Sequence, residues 1–484
     1  MLFRSVPGLT LRGGLLFAGS SGENRLAFLP DRNNFQPRIG VAWQFRQKWV
    51  MRAGYGLSYL GQNSNGSAAG FSRRTNLVAT TDNVTPAVNL SDPYPTPLFP
   101  TGLLLPIGSS QGLATDLGLG VGAQFLDRAL PYSQQYSIGF QREVRWGFLI
   151  DASYVGNITR KIPIGMALNF IPKATLESMP VAQRAAFFNA QVSNPMAGLL
   201  PGSAFNGATI PRSQTLVAFP HFANVSISDV PIGSQRYDSL QMKATRRFSA
   251  GLAMQISYTL SKAIEKTTLL NSQDIDPGNL LNTALHKNLT EFDTPHLLAV
   301  VTSYQLPFGK GQRFGSGMHR VVNGFLGNWN INVQYVLRSG LLFAFPNAQN
   351  LAARSAKFNH SQRDELARSK NRKEFDVLYD VFFDTALFPR QAQAPFTLRE
   401  FSVRFPDVRS KALNVWEMSV NKEFSLYRDN RVKLQLRGDA QNALNYPWFS
   451  RLQSNNVTDG RFGQLNPSAR TEAREIVVSV KILF

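Results

Sequence analysis

The chain has no cysteine among its 484 residues. That excludes disulfide frameworks, thiolate metal sites and cysteine nucleophiles, and it is compatible with an oxidising compartment. Long hydrophobic runs are also missing. No stretch approaches the roughly 18–20 uninterrupted apolar residues that a membrane helix needs. Acidic residues are scarce, 31 Asp and Glu against 51 Lys and Arg, which leaves a net charge of +20. Such a balance can accompany nucleic acid, but the cations are scattered and no basic run reaches five. A nucleic-acid partner is therefore not expected. A basic lumen or rim facing anionic headgroups suits the pattern better.

Catalytic and metal signatures are equally sparse. The five histidines, His221, His286, His296, His319 and His360, include no pair at the i, i+4 spacing of a helical zinc site. His296 near Asp293 lacks a partner cluster and reads as structural or solvated. Asp274 and Asp276 lack the twelve-residue pattern of a calcium loop and read as a solvated pair. Gly118, Gly120 and Gly122 lack the Lys-Ser/Thr ending of a phosphate loop and read as a flexible loop. Ser261-Lys262 has nothing around it from which to build an oxyanion hole. No metal, cofactor or enzymatic activity is expected. Val181–Phe188 reads as a short helix packed on other loops.

What the sequence does contain is alternation at a period of two, the signature of strands. Leu252, Met254, Ile256, Tyr258 and Leu260 oppose Ala253, Gln255, Ser257, Thr259 and Ser261. Val432, Leu434 and Leu436 oppose Lys433, Gln435, Arg437 and Asp439. The same holds for Ile331 to Arg338, Gln135 to Gln141 and Phe148 to Tyr154. At the C-terminus, Ile476, Val478, Val480, Ile482 and Phe484 share one face, and Glu475, Ser479 and Lys481 lie on the other. A half-buried strand of a soluble sheet would also alternate. So many strands of about ten residues, however, fit the length that crosses a bilayer at a tilt.

The connections sort into two kinds. Short ones fall at Arg46–Trp49, Arg145–Gly147, Arg247–Gly251 and Tyr427–Arg431, and a medium one runs from Leu306 to Gly327. Long ones fall at Gly61–Pro131, Arg160–Gln235, Lys262–Glu291, Leu342–Ala412 and Asn445–Thr471. The two kinds alternate, as in a transmembrane barrel with short periplasmic turns and long extracellular loops. Counting Leu9–Ala18 as a strand gives about twelve strands, or about fourteen if Thr215–Asp229 forms a hairpin, both even as bacterial barrels require. Trp43, Trp49, Tyr55, Tyr59, Tyr132, Tyr136, Trp146, Tyr154, Trp329, Tyr335, Trp416, Tyr446 and Trp448 lie mainly near strand ends. That placement suits interfacial girdles, although packing in a soluble sheet would explain some of them.

Several segments resemble the Oar-like TonB-dependent receptors of Acidobacteria. These are Asp31 to Gly40, Pro131 to Arg142 with Ser153 to Gly156, and Asn194-Pro195 with Gly198 to Gly202. Further matches are Tyr237 to Gln241 with Arg247-Phe248 and Ser257 to Lys262, then Phe292 to His296, Leu306 to Gly311 and Asn442 to Pro447. Each motif alone is weak, and together they are specific. The resemblance implies an outer-membrane receptor barrel of about 22 strands preceded by a signal, often a small sandwich domain, and a plug. None of these N-terminal parts is visible. Met1 to Pro7 does not read as a secretory signal, so either a signal was removed or the chain begins within a larger protein.

The expectation is therefore an all-β, antiparallel transmembrane β-barrel, partial, with residues 1–484 as one barrel domain from the C-terminal part of such a receptor. Its location would be the outer membrane and its lipid partner the bilayer itself. Ile476, Val478, Val480, Ile482 and Phe484 resemble the ending that the barrel-assembly machinery reads. The TonB complex would be a partner only if a plug is supplied. The alternative is a non-transporting structural or surface-binding barrel, or an inactive remnant. The ligand is not readable. Phe345-Pro346 and Arg363-Asp364 in the loops give no class, and saccharides, peptides and siderophores all remain open.

Overall fold

The computed structural model describes residues 11–61, 71–200, 203–345, 380–400, 402–426 and 432–484, with isolated gaps in the first two stretches, and a few residues between 365 and 376. Met1 to Pro7, Pro201-Gly202, Pro346, Arg363-Asp364 and the turn at Tyr427–Arg431 lie outside the described residues. The strands are β1 (Arg38–Arg46), β2 (Trp49–Tyr59), β3 (Gly120–Gln124), β4 (Tyr132–Glu143), β5 (Phe148–Ala167), β6 (Gln191–Ser193), β7 (Thr209–Pro211), β8 (Asn224–Ser249) and β9 (Leu252–Thr268). They continue with β10 (His286–Leu289), β11 (His296–Gln305), β12 (Trp329–Arg338), β13 (Leu342–Ala344), β14 (Arg404–Arg409), β15 (Leu413–Ser425), β16 (Lys433–Gln441) and β17 (Glu475–Leu483).

Eleven of these form one antiparallel wall in the order β1-β2-β4-β5-β8-β9-β11-β12-β15-β16-β17, joined by β3 and β10 to make thirteen strands. Among the described residues β1 and β17 do not pair, so the wall has two free edges. Thirteen lies within the expected range of about twelve to fourteen, but two of the segments expected to supply strands do not. Leu11–Ala18 carries no strand assignment. Thr215–Asp229 makes no hairpin of its own either. Arg212–Thr215 is a helical turn, and Asn224–Asp229 belongs to the end of β8, paired with β5 and, in parallel, with β3.

The tight connections are built by backbone that turns left-handed. Ala250 (φ 50°) and Gly251 (φ 81°) close the hairpin from Ser249 to Leu252, the geometry whose twist matches the flanking strands. Lys48 (φ 64°) does the same between β1 and β2, and Trp146 (φ 63°) with Gly147 (φ 72°) between β4 and β5. The Leu306–Gly327 connection carries a short helix, Arg320–Leu326. Among the described residues four such connections cluster at one end of the wall, and the long ones at the other.

No apolar core lies inside the wall. The buried apolar side chains among the described residues, such as Val230, Ile275, Phe345 and Phe462, sit in the long loops and in the strand extensions beside them. On the wall itself, Ile39, Val41, Val420, Val478 and Ile482 are exposed. A sheet that borrows lipid as its apolar solvent has no need of a second apolar layer.

Candidate functional site

Cross-strand pairing fixes which side chains share a face, because paired residues point the same way. Starting from Ile476, Val478, Val480 and Ile482, the register carries the apolar phase through Leu434 and Leu436, Val420 and Phe424, and Ile331 and Val333. It goes on to Val300, Ile256, Ala244, Ile150 and Phe140, and ends at Met51 and Trp43. The other phase is mainly polar: Arg52, Gln141, Asp151, Lys243, Gln255, Gln334, Asn421 and Arg437 lie on it, with Val301, Val336, Val415 and Val477 among them. Segregation of this kind, carried across eleven strands, suits a wall between lipid and an aqueous lumen.

Many side chains of the polar face bond to one another. Ser133 Oγ donates to Asn157 Oδ1 at 3.0 Å, Gln241 Nε2 to Ser239 Oγ at 3.2 Å, and Arg437 Nε to Asp439 Oδ1 at 2.9 Å. Lys433 Nζ and Gln435 Nε2 both donate to Glu423, each at 3.2 Å. A concavity of 490 Å³ is lined by Asn332, Gln334, Glu417, Ser419, Arg437 and Asp439. Arg437 is paired with Asp439, and Glu417 accepts from the Asn442 amide.

Above the wall the long loops form a cap with four apolar clusters. The largest brings Phe343, Phe345, Phe383, Phe388, Phe449 and Phe462 together from two loops. A second buries Phe188 of the helix Val181–Asn189 against Phe396 with 4.9 Å between ring centres. The helix expected at Val181–Phe188 is present, with the loop packing expected of it. Phe345 is 0% exposed and is structural rather than ligand-facing.

Arginines of the Leu342–Ala412 loop latch it onto its neighbours. Arg409 Nη2 donates to Asp293 Oδ2 at 2.6 Å and its Nη1 to the Asp293 carbonyl at 2.6 Å. Arg404 reaches Glu265 at 2.7 Å, and Arg399 Nη2 donates to the Phe345 carbonyl at 2.6 Å. Burial lowers the pKa of Arg399. His286 is pushed down by burial and then by the positive charge of Arg399. Burial also pushes His221 down, against a contact of its ring with the Gly13 carbonyl. Lys411 is lowered by burial, and Tyr446, whose ring lies under the Lys411 amine, is raised by it. These shifts belong to packing; no nucleophile faces them.

The weak motifs find structural roles. His296 stacks on Tyr258 and meets its hydroxyl at 2.8 Å, while Asp293 turns to Arg409 instead. Asp274 caps Asn271, and Asp276 accepts from the Gly278 and Asn279 amides. Ser261 Oγ donates to the Thr294 carbonyl, and Lys262 points to the other face. Gly120 and Gly122 correct the flexible-loop expectation, because they lie in β3, which pairs in parallel with Asn224–Ser228. Among the described residues no group of three or more His, Asp or Glu could hold a metal ion. Of the predicted aromatics, Trp43, Trp49 and Trp329 sit on the outer phase at the turn end. Tyr55, Tyr59, Tyr132 and Tyr136 sit on it at the loop end. Ile476, Val478, Val480 and Ile482 face outward on the last strand, followed by an exposed Phe484.

A two-faced antiparallel wall with short turns at one end and a loop cap at the other defines a β-barrel of the outer membrane. Residues 3–476 match the family described as outer membrane beta barrel domain, and the chain belongs to that family. No curated protein matches the sequence. Among solved structures, it is similar to the outer membrane transporter YddB from Escherichia coli, at 10% identity over 92% of this chain and 40% of that one, TM-score 0.40. It is also similar to the pyoverdine outer membrane receptor FpvA from Pseudomonas aeruginosa PAO1, at 9% identity over 92% and 35%, TM-score 0.37. A third is the FrpB iron transporter from Neisseria meningitidis, at 11% identity over 92% and 39%, TM-score 0.36. The chain spans no more than 40% of the length of these structures. No helix among the described residues is long and apolar enough to cross a membrane.

Proposed function

We propose that this chain is the C-terminal part of the barrel of a TonB-dependent outer-membrane receptor of the Oar-like type. Its long loops would bind a ligand outside the cell, and import would require a plug domain in addition to this wall. In this reading residues 1–484 are one barrel domain, and the outward face of β17 with Phe484 is the mark the assembly machinery reads. The carrying observation is a wall whose inner face is mainly polar and outer face mainly apolar, capped at one end by folded loops, and whose two edges stay free among the described residues. With eleven strands running alternately up and down, β1 and β17 point the same way. They cannot close an all-antiparallel barrel without at least one further strand, and unpaired backbone in lipid costs several kcal/mol per group.

The absence of cysteine makes the test direct. Single cysteines at Thr458 in the cap and at Lys48 and Lys310 in the turns should divide cleanly under a membrane-impermeant maleimide on whole cells. Thr458→Cys labels, and the other two label only after lysis. The reverse pattern would overturn the orientation. A heat-modifiable, protease-resistant monomer formed by this chain alone in lipid vesicles would overturn the partial-barrel reading.

A further inference from the structure

Near the loop end of β5, β8 and β9 the outer face changes character. Ile138, Tyr154, Leu240 and Leu260 form its last wholly apolar row, with Ile158 and Ile264 two rows further on. Within the next three rows this face carries Arg160, Arg236, Lys262, Lys266 and a single carboxylate, Asp238. Asp238 is already engaged: Arg236 Nε donates to it at 2.6 Å, the Tyr154 hydroxyl at 2.5 Å and the Tyr136 hydroxyl at 3.2 Å. Arg160, Lys262 and Lys266 are exposed and have no ion pair or ring contact among the described residues. The patch therefore holds three uncompensated positive charges. The adjoining 830 Å³ concavity, lined by Asp31, Asp127, Arg32, Arg128 and Lys161, is also net positive.

The height of the patch matters. Lys262 lies ten residues beyond Leu252, the first residue of β9. For a strand tilted by roughly 45° that is about 24 Å along the membrane normal, close to the height of the apolar band of such barrels, about 25 Å. A lysine on the lipid-facing phase at mid-membrane would be costly, but at this height the cost falls toward zero. The other end is treated differently. Arg142 lies over the Trp49 ring at 4.7 Å and Arg246 over Phe148 at 5.8 Å, and the Lys422 amine donates to the Asn323 and Gly324 carbonyls. Arg160, Lys262 and Lys266, by contrast, have no ring or carboxylate over them among the described residues. Arg160 and Lys266 share a row on β5 and β9, with β8 between them, about 10 Å apart, and Lys262 lies four residues down β9, a spacing that suits more than one anionic group.

We propose that this patch is a binding site for the phosphate-bearing headgroup of an outer-leaflet lipid, whose acyl chains lie on the apolar rows below. The proposal rests on the loop end facing outward, which the cysteine labelling tests separately. The probe is diphosphoryl lipid A in detergent, added to the folded full chain and counted by native mass spectrometry. Its dephosphorylated counterpart and inorganic phosphate serve as comparisons. The triple variant Arg160→Gln/Lys262→Gln/Lys266→Gln should bind the diphosphoryl lipid roughly a hundredfold more weakly, about fivefold per cation. A charge-matched triple at the other end, Lys310→Gln/Arg313→Gln/Arg320→Gln, should bind it as the parent does. Equal binding of phosphorylated and dephosphorylated lipid, or equal loss in both triples, overturns the proposal. Full competition by inorganic phosphate would do so as well, since it would mark a free-anion site.

Discussion

Replacing Asp293 with alanine should open the cap locally and leave the wall intact. Its carboxylate is 2% exposed. It accepts the Ala263 amide at 2.8 Å and Arg409 Nη2 at 2.6 Å, and Arg409 Nη1 also donates to the Asp293 and Gly340 carbonyls. Removing the carboxylate strands a largely buried guanidinium and leaves a buried amide without an acceptor. Breaking one side of a buried pair costs about 3–5 kcal/mol. Arg409 keeps three carbonyl acceptors, on Pro406, Asp293 and Gly340, so the lower end applies, and about 3 kcal/mol is roughly a 150-fold shift in the opening equilibrium. Hydrogen exchange of the reconstituted chain reads this directly. The Ala263 and Thr290 amides should exchange about two orders of magnitude faster, with β11, β12 and β15 unchanged. Asp293→Asn keeps an acceptor for Ala263 and should have a smaller effect. Less than about a fivefold change in those amides, or equal acceleration throughout the wall, would refute the buttress.

Phe345→Ala empties the centre of an aromatic cluster whose rings lie 5.3–5.9 Å from Phe345. It should cost the cap about 3–5 kcal/mol, seen as faster proteolysis of the loops in the folded protein. Gly340→Ala would drive a Cβ into the Ser410 backbone, and protease cleavage near Ser339–Leu342 should rise where the parent resists. The depressed pKa values of His221 and His286 make cap stability rise with pH. The unfolded chain binds more protons below its ordinary histidine value of 6.5, so the contribution is present above that pH and is lost as the pH falls below it. Cap exchange at pH 5.5 should exceed that at pH 7.5 after correction for intrinsic rates, and His221→Phe with His286→Phe should flatten the difference. Deleting Phe484, which is 98% exposed, removes no packing. Refolding in vitro should be unaffected while accumulation in the outer membrane drops, and an equal loss in both would make Phe484 a folding residue rather than a recognition mark.

The wall could be read from sequence because period-two alternation is local. Leu252 to Ser261 names its own faces without knowing its neighbours. The turns were equally local, since Ala250-Gly251 must go left-handed to close two residues. What escaped the reading depends on distant residues. Arg409 and Asp293 are 116 positions apart, and the phenylalanines of the largest cluster are scattered from Phe343 to Phe462. β5 and β8 run on past Arg160 through bulges at Lys161 (φ 57°) and Asp229 (φ 64°), and bulges interrupt the alternation that would have announced the extension. Leu9–Ala18 failed for the opposite reason. Its pattern was strand-like, but Leu11–Ala18 pairs with no strand, and an apolar pattern without a ladder does not make one.

The two halves of the molecule solve burial in opposite ways. In the wall, outward side chains are mainly apolar and face lipid, and inward ones are mainly polar, so the sheet needs no facing apolar layer. In the cap, water surrounds the loops, and they hold together only by building a conventional core of phenylalanines and latching it with arginine. The net positive charge reflects both solutions. Arg399, Arg404 and Arg409 serve as latches to carbonyls and carboxylates inside the cap. Arg160, Lys262 and Lys266 stand uncovered at the height where lipid headgroups begin. A soluble protein would gain nothing from three unpaired cations directly above a band of exposed leucine and isoleucine; at a membrane surface each of the two features accounts for the position of the other.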